Sequence, residues 1–572
     1  MLSTSHQIYW EVNQMEETNN SQSTTRTSGT QDKPQATTKN NRRNKPRRNG
    51  KPRNGKPGGK PGNGSGKPGN DPKWHGAGTQ LQDSASKSFA YQQGQPIELG
   101  LNLDGSARTR IIPGIHAIAL VSTVGPAYDQ RDPVNLAANK EYSDVRRDKS
   151  GSTPYDPVDF ALYNNAMCDL YSYIVWLQRA YGTMWLFKRD NAYMPKALLE
   201  AQNIDYESLQ ENLTDFRTGL NELISAVKAY KVPAIFPIFA YKAFAYKYYY
   251  AEGTSLKDQL YMYMPNSFLK MMPDQDGAWS LRVVNVNVPF NYTTRHALWK
   301  YNELLDMGWD MFSSILGDSD VVTMTGDISA RYGDNVLTLA YLPEQVEAEI
   351  HFEISVLEQM KNAQCVYQPG IKVGPVGFNV SQNAAKSLLT SRIQLEAMTN
   401  SFNTGKDFFG NAYSDDLKTV ADAIVDRYYS RPKILTTTTY NPGPDLVLDS
   451  TRLTLTAIER TRTDNSIDLY YGSLVPEYFS VIELNLDGTT GRYDYSNLVY
   501  IPTGSDQRVA LNTIGNLSNF RFHPETEYVM VSDSTVQETN PVFDVDNYTL
   551  LYTSDIERIH RASLLAEMDI NS

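Results

Sequence analysis

DPVDFALYNNAMCDLYSYIVWLQRAYGTMWLFKR, residues 156–189, is the stretch that says most about the fold. Asp156 is a good helix cap, Pro157 fits the first helical turn, and Asp159 adds negative charge where the helix dipole favours it. Apolar residues then recur at spacings of three and four, and others fill the opposite side. The set comprises Phe160, Tyr163, Met167, Leu170, Ile174, Leu177, Tyr181 and Met184, with Leu162, Ala166, Val175 and Trp176 opposite. A helix that is apolar nearly all round is buried in a core or a subunit interface.

Helical patterns dominate before residue 430, and strand patterns follow. Further helices are predicted over 193–202, 205–230, 293–316 and 343–362. Between 430 and 550 the runs KILTTTTY, LVLDSTRLTLTAI, YFSVIELNL and TEYVMVS predict short strands. A closing helix, TSDIERIHRASLLAEMD, is predicted to start with the capping pair Ser554 and Glu557. The sequence therefore predicts a mainly α fold with a β-containing C-terminal part, of the α+β class.

Residues 33–70 form a basic segment in an otherwise acidic chain. The segment contains seven Lys, five Arg and no carboxylate, whereas the 572-residue chain carries a net charge of -11. Its cationic residues are Lys33, Lys39, Arg42, Arg43, Lys45, Arg47, Arg48, Lys51, Arg53, Lys56, Lys60 and Lys67. Gly, Pro and Asn at this density predict a disordered arm, because too little apolar surface is available to offset the entropy of ordering. We predict that these side chains bind nucleic-acid phosphate without sequence preference; the alternative is a solvated spacer.

No catalytic site or cofactor is predicted. The seven histidines are scattered, and no HExxH or GxSxG pattern occurs. The string from Gly50 to Lys56 spells most of a phosphate-binding loop, but Pro57 replaces the required Ser or Thr and no strand precedes it. A GxGxxG pattern at 64–69 likewise lacks its strand and helix. The residues therefore predict a protein that is not an enzyme.

Three carboxylates in LGDSDVVTMTGD, residues 316–327, are candidate metal ligands. They are Asp318, Asp320 and Asp327, and their spacing is similar to a polymerase GDD site. We favour cap and turn roles instead, because Thr325 followed by GDISARYG is typical of a short helix that begins at Thr325 and ends at Gly333. No metal is predicted.

The cysteines and the apolar segments give no indication of a disulfide-rich, zinc-binding, secreted or membrane-spanning protein. Cys168 and Cys365 lie in no CxxC pattern, and we interpret them as buried or idle thiols in a reducing compartment. The N-terminus has no signal-peptide pattern, and no window offers about 18 uninterrupted apolar residues. The nearest segment, 229–253, is predicted to be a buried helix whose lysine stems extend out of an aromatic core, rather than a helix at a membrane interface.

Three segments resemble picobirnavirus capsid proteins. SSILGDSDVVTMTGDISARYGDNVLTL (313–339) is similar to the family's LGDxDxxxMxGDxxxxxG-like pattern. IIPGIHAIALVSTVGPAYDQRDPVNLAANKEYSDVRRDKSG (111–151) resembles the family's IPG strand and PxNxAA helix start. YDPVDFALYNNAMCDLYSYIVWLQRAYG (155–182), followed by YMPKALLEA (193–201), resembles its long helix and the next helix. The order and spacing are similar as well, over about residues 111–340.

The resemblance implies the capsid protein of a small segmented double-stranded RNA virus. Such a protein has a largely helical shell domain, a smaller protruding domain, homodimers as building blocks and a basic arm inside the particle. The expected division is an arm at 1–80, a shell domain at 81–430, a strand-rich, protruding part at 431–550 and a C-terminal helix at 551–572. The expected function is self-assembly into an icosahedral shell around double-stranded RNA, in the virion and, during assembly, in the host cell cytoplasm.

The residues alone leave two other classes open. A non-viral RNA-binding protein also combines a basic disordered arm with a self-associating body, but it forms small oligomers where a coat protein forms particles. An enzyme with a nucleic-acid-targeting tail requires a cleft with perturbed titratable groups.

Overall fold

The structure is a computed structural model that describes most of the chain after residue 95. The described residues are 96–147, 149, 151, 154–186, 193–253, 259–274, 277–286, 298–368, 371–374, 376–383, 385–397, 426–458, 467–485, 488–501, 507–532, 535–538 and 541–570. They all belong to one unit of the chain. The predicted arm at 1–80 lies outside the described residues.

Most of the predicted helices are present. The helices are α1 (Pro133–Arg146), α2 (Pro157–Thr183), α3 (Met194–Glu200), α4 (Tyr206–Glu211), α5 (Leu213–Val227), α6 (Pro237–Lys247), α7 (Tyr301–Leu316), α8 (Val321–Tyr332), α9 (Ile354–Lys361), α10 (Pro444–Ser450), α11 (Gln507–Leu517) and α12 (Thr553–Glu567). The predicted helix at 205–230 is split into α4 and α5 at Asn212.

Several predicted element boundaries are wrong. The helix predicted over 343–362 begins only at α9, where the side chain of Glu353 accepts a hydrogen bond from the Ser355 amide. Thr325 lies inside α8 rather than at its start. Ser554 and Glu557 do not cap α12, because the residue at its N-cap position is Tyr552. The run LVLDSTRLTLTAI begins in α10 and not in a strand, since the preceding proline starts a helix.

Helix α2 begins as predicted and is buried along nearly its whole length. The side chain of Asp156 accepts hydrogen bonds from the amides of Val158 and Asp159, and the Asp159 side chain accepts one from the Asp156 amide. These reciprocal bonds form a capping box and fix the first turn. The helix ends at Thr183, before the end of the predicted stretch at 189.

The strands are more extensive than predicted. They are β1 (Ile97–Leu101), β2 (Ala107–Arg110), β3 (Ile115–Ser122), β4 (Tyr249–Ala251), β5 (Leu260–Pro273), β6 (Trp279–Asn285), β7 (Ile350–His351), β8 (Ile371–Val373), β9 (Val380–Asn383), β10 (Leu388–Ser391), β11 (Gln394–Ala397), β12 (Lys433–Thr437), β13 (Thr456–Ala457), β14 (Ile467–Tyr470), β15 (Leu474–Leu484), β16 (Thr490–Tyr495), β17 (Leu498–Ile501), β18 (Glu527–Ser532), β19 (Thr535–Glu538) and β20 (Asn547–Leu551). Within the described residues, nine strands form one mixed sheet in the order β10-β9-β6-β5-β3-β15-β16, with β4 and β7 attached beside β5.

This sheet joins two parts of the chain that were predicted to be separate. Strand β3 is buried at every position and lies between β5, which is parallel to it, and β15, which is antiparallel. Strands β15 and β16 come from the strand-rich segment 431–550. The boundary predicted at residue 430 therefore does not divide two bodies in the described structure, because the later segment completes the sheet of the earlier one. The α+β class fits, but the described fold is less helical than expected.

Aromatic side chains pack α2 onto the sheet. The ring of Phe268 in β5 lies 5.3 Å from that of Tyr173 and 6.3 Å from that of Trp176, both in α2. Tyr246 of α6 contacts the same phenylalanine ring at 5.7 Å. The buried helix predicted from the sequence is thus the layer that covers one face of the sheet.

Candidate functional site

The twelve basic residues predicted to bind nucleic acid lie outside the described residues. They run from Lys33 to Lys67, and the structure gives no position for any of them. Phosphate binding by the arm therefore stays a prediction.

The three carboxylates of residues 316–327 do not converge on one site. Asp318 accepts a hydrogen bond from the Asp320 amide at 3.0 Å, as a turn residue does, and burial raises the pKa of Asp318. Asp320 occupies the N-cap position of α8 without a capping hydrogen bond from its side chain. Asp327 lies within α8 and is buried, so the cap or turn role predicted for it is wrong. Among the described residues, no group of three His, Cys, Asp or Glu side chains is placed to hold a metal ion.

Asp327 is instead the centre of a buried ion cluster. Its carboxylate accepts a hydrogen bond from the Tyr155 hydroxyl at 2.6 Å, lies 3.2 Å from the Arg146 guanidinium and also pairs with Lys149. Burial alone would raise the pKa of Asp327, but hydrogen bonds from Lys149, Tyr155 and Arg146 outweigh it and lower that pKa. The cluster connects the end of α1, the segment before α2, and α8, and it therefore fixes these elements to each other.

A second ion pair fixes α2 and α6 to the sheet. Asp169 and Lys242 are fully buried and 3.1 Å apart. The Ser122 hydroxyl of β3 donates to Asp169 at 2.6 Å and accepts from Lys242 at 2.7 Å, while the Leu269 amide of β5 donates to Asp169 at 2.6 Å. Lys242 thus has its partners inside the protein and does not extend out of the aromatic core, contrary to the interpretation of segment 229–253. This ion pair has a structural role, because its charged groups are already hydrogen-bonded inside the protein and are not available to bind a substrate.

The buried histidines and the cysteines do not form a nucleophilic site. His116 Nε2 lies 2.6 Å from the Tyr495 hydroxyl, and burial lowers the pKa of His116 to about 3. Burial likewise lowers the pKa of His560 to about 4. Cys168 and Cys365 are unpaired and buried as predicted; burial raises the pKa of both thiols, that of Cys365 to about 12. These thiols are therefore protonated and unreactive near neutral pH.

A small cavity of about 20 Å³, lined by both polar and apolar residues, lies beside β12 and β20. Lys361, Lys433 and Glu525 contribute to its lining. The Lys361 ammonium is buried without a hydrogen-bond partner among the described residues, and burial lowers its pKa. Burial also raises the pKa of Glu525 to about 7. An unpaired buried charge costs stability, so this cavity is a weak point of the fold.

Two β elements expose large apolar side chains; the first was not predicted, whereas one strand of the second, β12, lies in the predicted strand run KILTTTTY. The first is the β1–β2 hairpin (97–110), in which 48% of Leu99 and 71% of Leu101 are exposed. The second is the β12–β20 ribbon (433–437 and 547–551), in which Tyr548 is 70% and Leu550 54% exposed. The alternation of apolar and polar residues in IELGLNL, residues 97–103, was the available signal for the hairpin.

Comparison with known proteins places the chain in a family. The family model for the picobirnavirus capsid protein matches residues 74–385, which is more than half of the chain. The chain belongs to the picobirnavirus capsid protein family. A curated relative, the capsid protein precursor of Human picobirnavirus (strain Human/Thailand/Hy005102/-), is 22% identical over 530 residues, which cover 88% of this chain and 91% of the relative.

The fold agrees with this membership. The X-ray crystallographic structure of the picobirnavirus capsid matches with a TM-score of 0.69 and 17% identity, over 87% of this chain and 98% of that one. The resemblance predicted from the three sequence segments is therefore confirmed. A picobirnavirus capsid protein is a structural component of the virion and not an enzyme, so membership sets aside the two other classes that the residues left open. In the described part of the chain, no helix has both the length and the apolar character needed to cross a bilayer.

Proposed function

We propose that this capsid protein assembles from homodimers into an icosahedral shell that encloses a double-stranded RNA genome, and that its basic arm binds the packaged RNA. Assembly takes place in the host cell cytoplasm. The observation that carries the proposal is the fold, which is shared with a picobirnavirus capsid over 87% of the chain. The part of segment 431–550 outside the large sheet, including the β12–β20 ribbon, is proposed to form the protruding part.

The distribution of charge supports a role of the arm in RNA binding. Among its charged residues, segment 33–70 of the arm has only cations, whereas the remainder of the chain is acidic enough to leave the whole at -11. Lys and Arg side chains that neutralise phosphates release condensed counterions, which favours binding without sequence preference. An acidic body disfavours RNA on its other faces, since like charges repel.

Electron microscopy of the purified protein tests assembly. The full chain and a truncation that starts at residue 81 are both expected to form closed shells, because all of the described residues lie outside the arm. If both form only monomers or small oligomers across a range of salt and pH, the proposed function is wrong.

The role of the arm is tested by removing charge without changing its length. Replacement of Arg42, Arg43, Arg47, Arg48 and Arg53 by Gln removes five of the cations. The slope of log affinity against log salt on unrelated duplexes should then become shallower, by up to about 0.9 per lost contact. The matched control is an arm of unchanged composition in shuffled order, which should behave like the wild type.

The same three proteins are compared for the RNA retained in assembled particles. The glutamine variant is expected to retain less RNA than the wild type and the shuffled variant. Equal RNA content and equal salt slopes in all three would contradict RNA binding by the arm. A loss in the shuffled variant alone would indicate a specific motif instead of a charge effect.

A further inference from the structure

We propose that the β1–β2 hairpin of one copy packs on the β12–β20 ribbon of a neighbouring copy in the assembled shell. The inference rests on the proposed function, because it assigns surfaces to the self-assembly proposed above. In this arrangement, a second copy of the chain covers each of the two exposed apolar elements.

The hairpin extends from the described body and exposes leucine on both of its faces. A tight turn at 102–105 connects the strands, with hydrogen bonds from Asn102 N to Ser106 O and from Gly105 N to Asn102 O. The register shifts between Glu98 and Leu101, where Gly100 has a φ of +89°. This bulge places Leu101 opposite Ala107 on one face and leaves Leu99 on the other face, beside Ile97.

The hairpin makes few contacts with the other described elements of its own chain. Among the described elements, β1 and β2 pack extensively only against each other, and most of their residues are exposed. A two-stranded hairpin alone is marginally stable in water, and three strands or a covering surface are normally needed. Its solvated leucines therefore call for a surface that the described part of one copy does not provide.

The β12–β20 ribbon offers a face of matching character. Ile434 pairs directly with Leu550, so both side chains lie on the same face, and Tyr548 and Tyr552 lie two residues to either side of Leu550. All four are exposed, from 39% for Ile434 to 70% for Tyr548. Leu435 is buried on the opposite face of β12, whereas Ile434, Tyr548 and Leu550 form an exposed apolar patch; Thr436, on the same face as this patch, is buried.

The charges of the two elements are complementary. Arg110 pairs with Ile97 and shares a face with Arg108, so two exposed cations accompany Leu99 on one face of the hairpin. Neither arginine forms an ion pair with a described residue. Asp544, just before β20, is exposed, and its carboxylate also attracts the buried Lys361 ammonium of its own chain. A leucine flanked by cations thus matches an apolar ribbon flanked by a carboxylate, and such complementarity fixes the orientation of partners.

The test combines a loss of contact with a charge exchange. Leu99→Ser and Leu550→Ser each remove one apolar anchor, and each is expected to raise the protein concentration needed for assembly about tenfold or more. The double variant Arg108→Glu with Arg110→Glu should also impair assembly, and adding Asp544→Arg should restore it. Glu98→Gln, an exposed change on the other hairpin face, is the matched control and should assemble like the wild type. Circular dichroism of the unassembled proteins is expected to be unchanged, because every substituted position is exposed.

Several outcomes would overturn the inference. It is wrong if the serine variants assemble at the wild-type concentration, or if Asp544→Arg fails to rescue the charge-reversed hairpin. Hydrogen exchange should show that amides of 97–110 are protected in particles and exchange quickly in the unassembled full chain. Protection in the unassembled full chain that disappears when residues 1–80 are removed would assign the cover to the chain's own N-terminal segment and overturn the inference. Absence of shells from the wild type would instead overturn the proposed function.

Discussion

Replacing Asp327 by Asn isolates the ion cluster that joins α1, α2 and α8. Asparagine retains an oxygen for the Tyr155 hydroxyl, but it offers no negative charge to Arg146 and Lys149. Removing one partner of a fully buried pair costs about 3–5 kcal/mol, whereas exposed pairs contribute about 0–1 kcal/mol. The Asp327 side chain is only 8% exposed, while those of Arg146 and Lys149 are 15% and 33% exposed. The expected loss lies between these limits, at about 2–3 kcal/mol.

The assay is chemical unfolding of the unassembled protein, with Asp320→Asn as the control. Asp320 makes no capping bond, so its replacement should cost about 1 kcal/mol or less. A double-mutant cycle with Lys149→Gln should show that the two losses are not additive. Because the pKa of Asp327 is lowered in the folded state, its contribution is present above the unfolded pKa near 3.8 and is lost as the pH falls through the folded value. The reasoning is refuted if Asp327→Asn costs no more than Asp320→Asn, or if its cost is unchanged at low pH.

Three further substitutions test other buried groups. The Trp176 indole is fully buried and donates a hydrogen bond to Gln202 at 2.7 Å. Trp176→Asp places a charge there, so folding should fail. The control, Thr218→Asp, changes an exposed residue and should cost about 0.5 kcal/mol. Burial raises the pKa of Glu141 from 4.5 to about 8, so the wild type should lose stability as the pH rises across that interval; Glu141→Gln should not, and equal pH profiles would contradict the assignment. Lys361→Met removes a buried ammonium that has no hydrogen-bond partner among the described residues, and it should raise the midpoint of urea unfolding; a lower midpoint would show that attraction to nearby carboxylates such as Glu358 outweighs the cost of burial.

The helices were predictable where local signals agree. Asp156, Pro157 and Asp159 specify the start of α2, and the apolar residues around it specify its burial. The closing helix was found for the same reason, although its capping residues were not. These signals lie within one or two turns of the chain, so they can be read without knowledge of distant partners.

The large sheet was much harder to predict, because its central strands contain prolines. Pro265 interrupts β5, and Pro476 interrupts β15, whereas a central strand normally excludes proline. In both strands the register shifts next to the proline, between Leu120 and Val121 for the pairing of β3 with β5 and between Pro476 and Tyr478 for that with β15. Such irregularities accommodate a residue without an N–H. Local patterns do not reveal them, since they depend on a partner strand far away in the chain.

The role of Asp327 could not be predicted from local sequence patterns either. Its neighbours in sequence are typical of a turn, and the residues that decide its role, Arg146 and Tyr155, lie 181 and 172 positions away. The exposure of the hairpin and of the ribbon was not predicted for a related reason, because exposure is a property of the folded chain, although strand β12 itself lies in a predicted strand run. The prediction for the arm depends on composition alone, and the arm lies outside the described residues, so it stays a prediction from the sequence.

The position of β3 between β5 and β15 has a consequence for synthesis on the ribosome. His116 in β3 and its hydrogen-bond partner Tyr495, in the strand beyond β15, are 379 residues apart. At about 5–20 residues per second, roughly 20–80 seconds of translation separate them. Throughout that interval the first strand of the sheet lacks its later neighbour, and its backbone groups on that side are unsatisfied. A polypeptide released before residue 474 lacks both β15 and β16, so it can never complete the sheet.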